Sequence, residues 1–324
     1  MAVIAPTASP FVAPDLRPLD PGKFRNPLVT ARGERRAGVT LTTLRTLWFN
    51  TGTLCNIACA NCYIESSPVN DTLSYLSAEE VTGYLDEIEA LGWDTREIGF
   101  TGGEPFLNRA LPAMLEDALG RGREALVLTN AMRPMRLQQA ALLRLQARHG
   151  SRLTLRVSLD HHTPAVHDAE RGVGSWSIAL DGLVWLATHG FRLAVAGRHL
   201  AGESDEAART GYARLFENLG VAIDVQDRAR LLLFPEMDAQ ADVPEITRSC
   251  WGILHKSPDE VMCASSRMVV KHRGRSPTVV ACTLTPYAPD FDLGPTLRGA
   301  AGTVMLNHPH CARFCVLGGA SCSG

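Results

Sequence analysis

Three cysteines near the start of the chain, Cys55, Cys59 and Cys62, have the spacing to hold a metal centre. They follow an apolar, strand-like run from Leu44 to Phe49 and are spaced C-x3-C-x2-C, so three thiolates on one short loop can converge. Structural zinc prefers four protein ligands, usually in two C-x2-4-C pairs, so this loop alone makes a poor zinc site. An iron–sulfur cube fits better, because a cube held by three thiolates keeps one iron open to bind and activate a small molecule.

A second segment that could bind a charged group is Thr101-Gly102-Gly103-Glu104-Pro105, after a short strand predicted from Glu97 to Thr101. Two glycines at a strand end let the backbone approach a ligand closely. The carboxylate of Glu104 can take an ammonium group. A lone Gly-Gly-Glu is usually a turn, and Glu104 could be a helix N-terminal acid favoured by the dipole. Its place one strand and one helix after the three cysteines favours a site.

The last third of the chain contains six of the nine cysteines: Cys250, Cys263, Cys282, Cys311, Cys315 and Cys322. Two β-like runs, Met268 to Lys271 and Thr278 to Ala281, flank Arg273-Gly274-Arg275 and predict a hairpin. Cys263 and Cys282 then lie at its open ends, close in space. Cys311 and Cys315 could close on them. Four thiolates suffice for a fully ligated cluster, but they suit zinc equally well, so a zinc knuckle remains an alternative.

Strands alternating with helices must position these groups. The apolar pattern gives about six βα units in roughly 200 residues. Further strands are predicted at 125–129, 153–159 and 192–197, with another β segment between 221 and 234. Predicted helices begin at Ser77, Asn108, Pro134, Ser175 and Ser204. This pattern predicts a parallel sheet curled into a partial, open (β/α)6 barrel, an α/β fold whose chemistry gathers at the C-terminal strand ends.

We therefore expect three parts: an extended proline-rich arm over 1–42, the barrel over 43–240, and a small Cys-rich domain with a β-hairpin over 241–324. Of the 324 residues 45% are hydrophobic and 20% charged, with a net charge of −2, which does not favour a nucleic-acid partner. No apolar run is long enough to span a bilayer, and the first 20 residues lack the features of a signal peptide. We expect a cytoplasmic protein whose cysteines serve a metal rather than disulfides.

The cysteine loop, the Gly-Gly-Glu-Pro segment and the partial barrel together resemble the radical S-adenosylmethionine (radical SAM) superfamily, over roughly residues 44–235. The resemblance implies that Cys55, Cys59 and Cys62 hold a [4Fe–4S] cube whose fourth iron is chelated by S-adenosylmethionine. The reduced cube would then split the cofactor, and the resulting 5′-deoxyadenosyl radical would remove a hydrogen atom from the substrate. A low-potential electron donor of the flavodoxin or ferredoxin type is implied as well.

The same resemblance assigns residues to the cofactor. Gly102, Gly103 and Glu104 match the segment that receives the methionine ammonium. Ser158-Leu-Asp160 and Arg171 resemble the motif for the carboxylate and ribose end in peptide-modifying members, and Asn130 resembles the end of the preceding strand in that branch. Tyr63 follows the third cysteine as in many relatives. Two departures, Asn61 in place of a common aromatic residue and Asp160-His161 in place of Asp-Gly, leave the adenine contacts open. Arg198 is a further candidate for a carboxylate, although a surface position is expected for it.

The tail resembles the twitch and SPASM extensions of the superfamily, which bind auxiliary [4Fe–4S] clusters. Cys263, Cys282, Cys311 and Cys315 match a one-cluster twitch best. Cys322 is kept as a further candidate ligand, and Cys250 is left over, although either could replace one of the four. His308 and His310, which flank Pro309, are expected to be surface loop residues.

We expect a radical SAM enzyme with one auxiliary cluster, catalysing oxidation or C–S or C–C bond formation on a small molecule or a peptide. A small metabolite is slightly preferred, because residues 1–37 are too irregular to form a peptide-recognition domain. Two alternatives remain: an enzyme that modifies tRNA or nucleotides, which would need a basic face, and a non-catalytic zinc- or cluster-binding protein.

Overall fold

The structure is a computed structural model that describes residues 9–12, 16–235 and 238–319. Within these residues, no helix combines the length and the apolar character needed to cross a membrane. Cys322 and the first eight residues lie outside the described part.

A short strand, β1 (Gly38–Thr40), precedes a curved sheet whose first six strands follow one another in the chain. These six are β2 (Thr46–Asn50), β3 (Glu97–Thr101), β4 (Glu124–Thr129), β5 (Leu153–Ser158), β6 (Arg192–Arg198) and β7 (Leu231–Phe234). Each pairs in parallel with the next, so all six carboxyl ends meet at one rim. The partial (β/α)6 barrel is therefore confirmed.

Helices between the strands cover the outer face of the barrel: α1 (Ala78–Leu91), α2 (Leu111–Gly120), α3 (Arg133–Leu137), α4 (Gln139–His149), α5 (Pro164–Arg171), α6 (Ser175–Thr188) and α7 (Asp205–Leu219). The first begins at a capping box formed by Ser77 and Glu80 and ends at Gly92 in the left-handed conformation, as the sequence predicts. Its residues Val81, Leu85 and Ile88 pack into the barrel core.

Three helix predictions need correction. The helix expected from Pro134 to His149 is broken at Gln138 into α3 and α4. Asn108 lies three residues before Leu111, the first residue of α2, and its side-chain amide donates to the carbonyl of Leu76 instead of capping the helix. Helix α5 was not predicted, because its eight residues begin at a proline and are too few to show a clear apolar period.

The tail continues the barrel sheet. After the short helix α8 (Cys250–Leu254), β8 (Ser266–Val270) pairs in parallel with β2, and β9 (Thr278–Val280) forms the predicted hairpin with β8. β10 (Thr303–Met305) pairs with β1, and a π-helix (Cys311–Leu317) ends the described chain. A second core, separate from that of the barrel, packs the arm segment 37–39 against the tail. The domain boundary at residue 240 stays a prediction.

Candidate functional site

The three cysteines of the first loop line one cavity at the carboxyl rim of the barrel, here named the barrel cavity. It contains about 1100 Å³ of space free of atoms, part of it open to solvent. Burial raises the pKa of Cys55 to about 12, and it raises that of Cys59 as well, so both thiols are protonated at neutral pH when nothing binds them. Binding iron must therefore displace their protons.

Gly102 and Gly103 line the same cavity. Both positions require glycine because the backbone of the cysteine loop leaves no room for a Cβ atom. A Cβ on Gly103 would lie 2.2 Å from the carbonyl oxygen of Leu54, and one on Gly102 would lie 2.5 Å from that of Gly52. The amide of Gly103 donates to Gly52 at 2.8 Å. The glycines thus let the end of β3 pack against the loop that carries Cys55, and their close approach is to protein backbone.

Glu104 lies behind the cavity wall and is 2% exposed. Its carboxylate accepts hydrogen bonds from the amides of Phe106 (3.2 Å) and Asn130 (2.8 Å) and from the hydroxyl of Thr129 (2.9 Å). Burial raises its pKa to about 7, even though these donors act in the opposite direction. The side chain ties the end of β3 to the end of β4, while the glycines before it face the cavity.

Asn130 connects the end of β4 to the cysteine loop. Its amide nitrogen donates to Oδ1 of Asn56 at 2.9 Å and lies 3.9 Å from the sulfur of Cys55. An amide N–H beside a thiolate stabilises negative charge on the sulfur. The predicted site residue is therefore placed against a cysteine of the loop.

Ser158 is the last residue of β5 and Asp160 follows it, and both line the barrel cavity with Tyr63. Arg171, the last residue of α5, donates to the carboxylate of Asp160 through Nε (2.7 Å) and Nη2 (3.1 Å). Burial by itself would raise the pKa of Asp160, but the guanidinium groups of Arg171 and Arg198 outweigh it and hold the pKa below its ordinary value. The cavity thus contains a fixed, paired guanidinium beside the cysteines.

Two cavity residues depart from the sequence analysis. Arg198 is 7% exposed and pairs with Glu170 at 3.0 Å, so the expectation of a surface position was wrong. Glu170 also anchors the cysteine loop, because its carboxylate accepts from the amide of Asn61 and its carbonyl from that of Ala60. Within the described residues, Oε2 of Glu170 and Nη2 of Arg198 have no hydrogen-bond partner. The sequence signal for Glu170 was weak: an acid directly before Arg171.

Outside the lining of this cavity, three side chains of types that can bind a metal lie close together. Atoms of His161, His162 and Glu203 lie within 4.8 Å of one another. The amide of Thr163 donates to Nδ1 of His161, so the proton of the neutral ring is on Nε2, which faces Glu203 at 3.4 Å. In this tautomer the lone pair of His161 is used by Thr163 and does not point toward Glu203. The geometry describes a histidine–carboxylate contact.

The tail supplies an apolar wall to the barrel cavity. Leu284, which follows the hairpin, and Phe314 of the π-helix line it together with Phe234 at the end of β7. The rings of Phe234 and Phe314 lie 5.4 Å apart. The lining of the cavity therefore combines the cysteines and polar groups with apolar side chains, two of which come from the tail.

Cys263, Cys282, Cys311 and Cys315 line a second cavity, here named the tail cavity, which contains about 260 Å³ of free space. The structure thus brings together the four cysteines that the hairpin argument grouped. Leu284 lines both cavities. His310 lines the tail cavity and is 5% exposed, so a surface position for it was wrong, and burial lowers its pKa to about 3. Cys250 instead accepts from Thr247.

The family model described as the radical SAM superfamily matches residues 49–209 of the chain. The chain is 32% identical over 143 residues to the antilisterial bacteriocin subtilosin biosynthesis protein AlbA of Bacillus subtilis. The aligned region covers 44% of the chain and 30% of AlbA. It is 32% identical over 158 residues to the mycofactocin maturase MftC of Mycobacterium ulcerans, covering 48% of the chain and 40% of MftC. The chain thus matches less than half the length of either relative.

Solved structures share the fold. Streptococcus suis SuiB bound to S-adenosylmethionine aligns with a TM-score of 0.55 at 12% identity, covering 78% of this chain and 63% of SuiB. Native anSMEcpe with bound AdoMet aligns with a TM-score of 0.55 at 14% identity, covering 79% of each chain.

Proposed function

Residues 49–209 belong to the radical SAM superfamily, and from this premise we propose that the chain is a peptide-modifying enzyme with a second cluster in its tail. Enzymes of this superfamily use a [4Fe–4S] cluster and S-adenosylmethionine. The observation that carries the proposal is the pair of adjacent thiol-lined cavities that share Leu284.

The barrel cavity suits the superfamily cofactors. Cys55, Cys59 and Cys62 would hold the cluster, and no fourth cysteine lines this cavity among the described residues. When bound, the cluster and S-adenosylmethionine supply a 5′-deoxyadenosyl radical that removes a hydrogen atom from a substrate. Arg171, held by Asp160, would bind the cofactor carboxylate, with Ser158 beside it.

The backbone at Gly102 and Gly103 would receive the cofactor ammonium, because these residues line the cavity. Glu104 would act behind them as a positioning residue, since its carboxylate already accepts three hydrogen bonds. Asn130 would orient the loop and stabilise charge on Cys55. The apolar wall of Phe234, Leu284 and Phe314 would exclude water from the reacting groups.

The tail cavity suits a four-cysteine cluster. Thiolates on one zinc ion lie about 3.8 Å apart, given zinc–sulfur bonds of about 2.3 Å. In the part of the chain that the structure describes, no three tail thiols have all their sulfurs within 4.8 Å of one another. The same holds for the three thiols of the barrel loop, which we propose to hold a cluster rather than zinc. We leave Cys322, which is outside the described residues, as a possible replacement ligand.

A peptide is the substrate class that we propose, which revises the slight preference for a small metabolite. The two relatives are a bacteriocin biosynthesis protein and a maturase, and a SuiB structure of the same fold is bound to the precursor peptide SuiA. The apolar wall would accept an apolar side chain. Loss of one hydrogen atom followed by one electron and one proton oxidises the substrate by two electrons. The tail cavity would hold the acceptor of that electron, and a flavodoxin or ferredoxin would deliver electrons to the barrel site.

The test is anaerobic reconstitution followed by iron and sulfide analysis and reaction with S-adenosylmethionine and dithionite. We expect about eight irons per chain and formation of 5′-deoxyadenosine. Precursor peptides encoded beside the gene then serve as substrates, and mass spectrometry should show a product lighter by two hydrogen atoms.

Stoichiometric zinc without deoxyadenosine would overturn the proposal. Deoxyadenosine formed only together with oxidation of a small metabolite would overturn the peptide assignment and leave the radical chemistry intact.

A further inference from the structure

Arg267, in β8, is a buried cation without a carboxylate partner. The residue is 1% exposed. Its guanidinium donates only to backbone carbonyls: from Nε to Ala300 (2.9 Å), from Nη1 to Cys263 (2.6 Å) and Ser266 (2.8 Å), and from Nη2 to Gly302 (3.1 Å). No ion pair involves Arg267 within the ranges 9–12, 16–235 and 238–319. Each of its three nitrogens donates to at least one carbonyl, yet no carboxylate among the described residues neutralises its charge.

Three other arginines whose side chains are at most 14% exposed pair with carboxylates. Arg36 pairs with Glu245 at 2.6 Å, Arg171 with Asp160 at 2.7 Å, and Arg198 with Glu170 at 3.0 Å. Burying a charge is costly unless an opposite charge compensates it, and carbonyl dipoles do so only in part. Arg267 therefore calls for a permanent negative charge close by.

The candidates for that charge are thiolates of the tail cavity. Arg267 contacts the carbonyl of Cys263, one of the four cysteines. Burial lowers the pKa of Arg267, and negative charge on Cys263 and Cys282 acts in the opposite direction. A cysteine bound to iron is deprotonated at all working pH values. An iron–sulfur cluster on these thiolates would supply the missing charge.

We propose that Arg267 is the counter-charge of the tail cluster and raises its reduction potential. This rests on the proposed presence of a cluster in the tail cavity. Reduction adds one electron, and so one negative charge, to the cluster. The guanidinium stabilises the reduced form more than the oxidised form, so it favours uptake of an electron. Arg267 would thus act through the tail cluster: by raising its reduction potential, it would help the cluster accept the electron left on the substrate.

The test is a potentiometric titration of the reconstituted full-length enzyme, followed by EPR, with dithionite as the electron source. Added S-adenosylmethionine perturbs the barrel cluster and so distinguishes its signal from that of the tail. Arg267→Gln removes the charge, Arg267→Lys keeps it, and Arg273→Gln is a matched control on the exposed turn of the same hairpin, where the side chain is 72% exposed. We expect a more negative tail potential in Arg267→Gln alone, with the barrel potential unchanged.

Loss of the tail cluster in Arg267→Gln but not in Arg267→Lys would also support the counter-charge. A wild-type potential in a fully loaded Arg267→Gln variant would overturn it, and so would cluster loss in both variants, because Arg267 would then only hold backbone carbonyls. Wild-type enzyme with about four irons, or with zinc in the tail, would instead refute the second cluster of the proposed function.

Discussion

The two thiol-lined cavities differ in how their cysteines are supplied and in what surrounds them. The barrel cavity takes three cysteines from one loop and adds polar groups from the ends of four strands. The tail cavity takes four cysteines from both ends of a hairpin and from a π-helix, and it has about a quarter of the free space. The first arrangement leaves room and polar contacts for a ligand on the metal centre. The second suits a closed centre that only exchanges electrons.

The sharpest way to separate the two sites is to remove one ligand from the barrel loop. Cys59→Ala should reduce 5′-deoxyadenosine to background and lower the iron content from about eight to about four per chain, because the tail cluster remains. Liquid chromatography and iron analysis measure both quantities. Retention of cofactor cleavage would refute the assignment of this loop.

The converse change tests the tail. Cys282→Ala should abolish product formation and remove about four irons, while 5′-deoxyadenosine is still formed, because the barrel site is intact. Cys250→Ala is the matched control, since Cys250 does not line the tail cavity. Full product formation by the Cys282 variant would show that the tail centre has only a structural role.

A weaker perturbation removes a charge from the lining of the barrel cavity. Arg171→Met leaves Asp160 buried and unpaired, which should lower the free energy of unfolding by about 3 kcal/mol. It should also raise the KM for S-adenosylmethionine, because the proposed carboxylate contact is lost. Chemical denaturation and steady-state kinetics measure these effects. Arg192→Met, at a more exposed arginine whose ion pair with Glu124 is 3.9 Å long, should change neither.

A further expected effect is on the pH dependence of stability, and it needs no loss of activity. The pKa of Glu104 is about 7 in the folded protein against an ordinary 4.5, so the folded state holds its proton over a range where the unfolded state has lost it. Stability of the metal-free protein should therefore fall as pH rises from about 4.5 to 7, by up to about 3 kcal/mol, and level off above. Glu104→Gln should remove this slope in denaturation curves. An unchanged slope would mean that Glu104 ionises normally.

Several features could be predicted from the sequence because they depend on neighbouring residues. The C-x3-C-x2-C loop after a strand, the capping box of Ser77 and Glu80 and the six βα units are local patterns, and the structure places all of them as expected. The hairpin between Cys263 and Cys282 follows from two short β runs around a turn. These patterns specified the fold class and grouped the cysteines into two sets.

Other features were decided only by tertiary structure, since they join residues far apart in the chain. The place of Glu104 behind the cavity depends on how β3 packs beside β4. The Arg198–Glu170 pair requires β6 and α5 to meet, and α5 has too few residues for a clear period. From the sequence Arg267 is an ordinary strand residue, and only the pairing of β8 with β2 buries it, in contact with the carbonyl of Cys263. Sequence periodicity encodes which residues are buried, whereas the neighbours of a buried charge are set by the packing of distant segments.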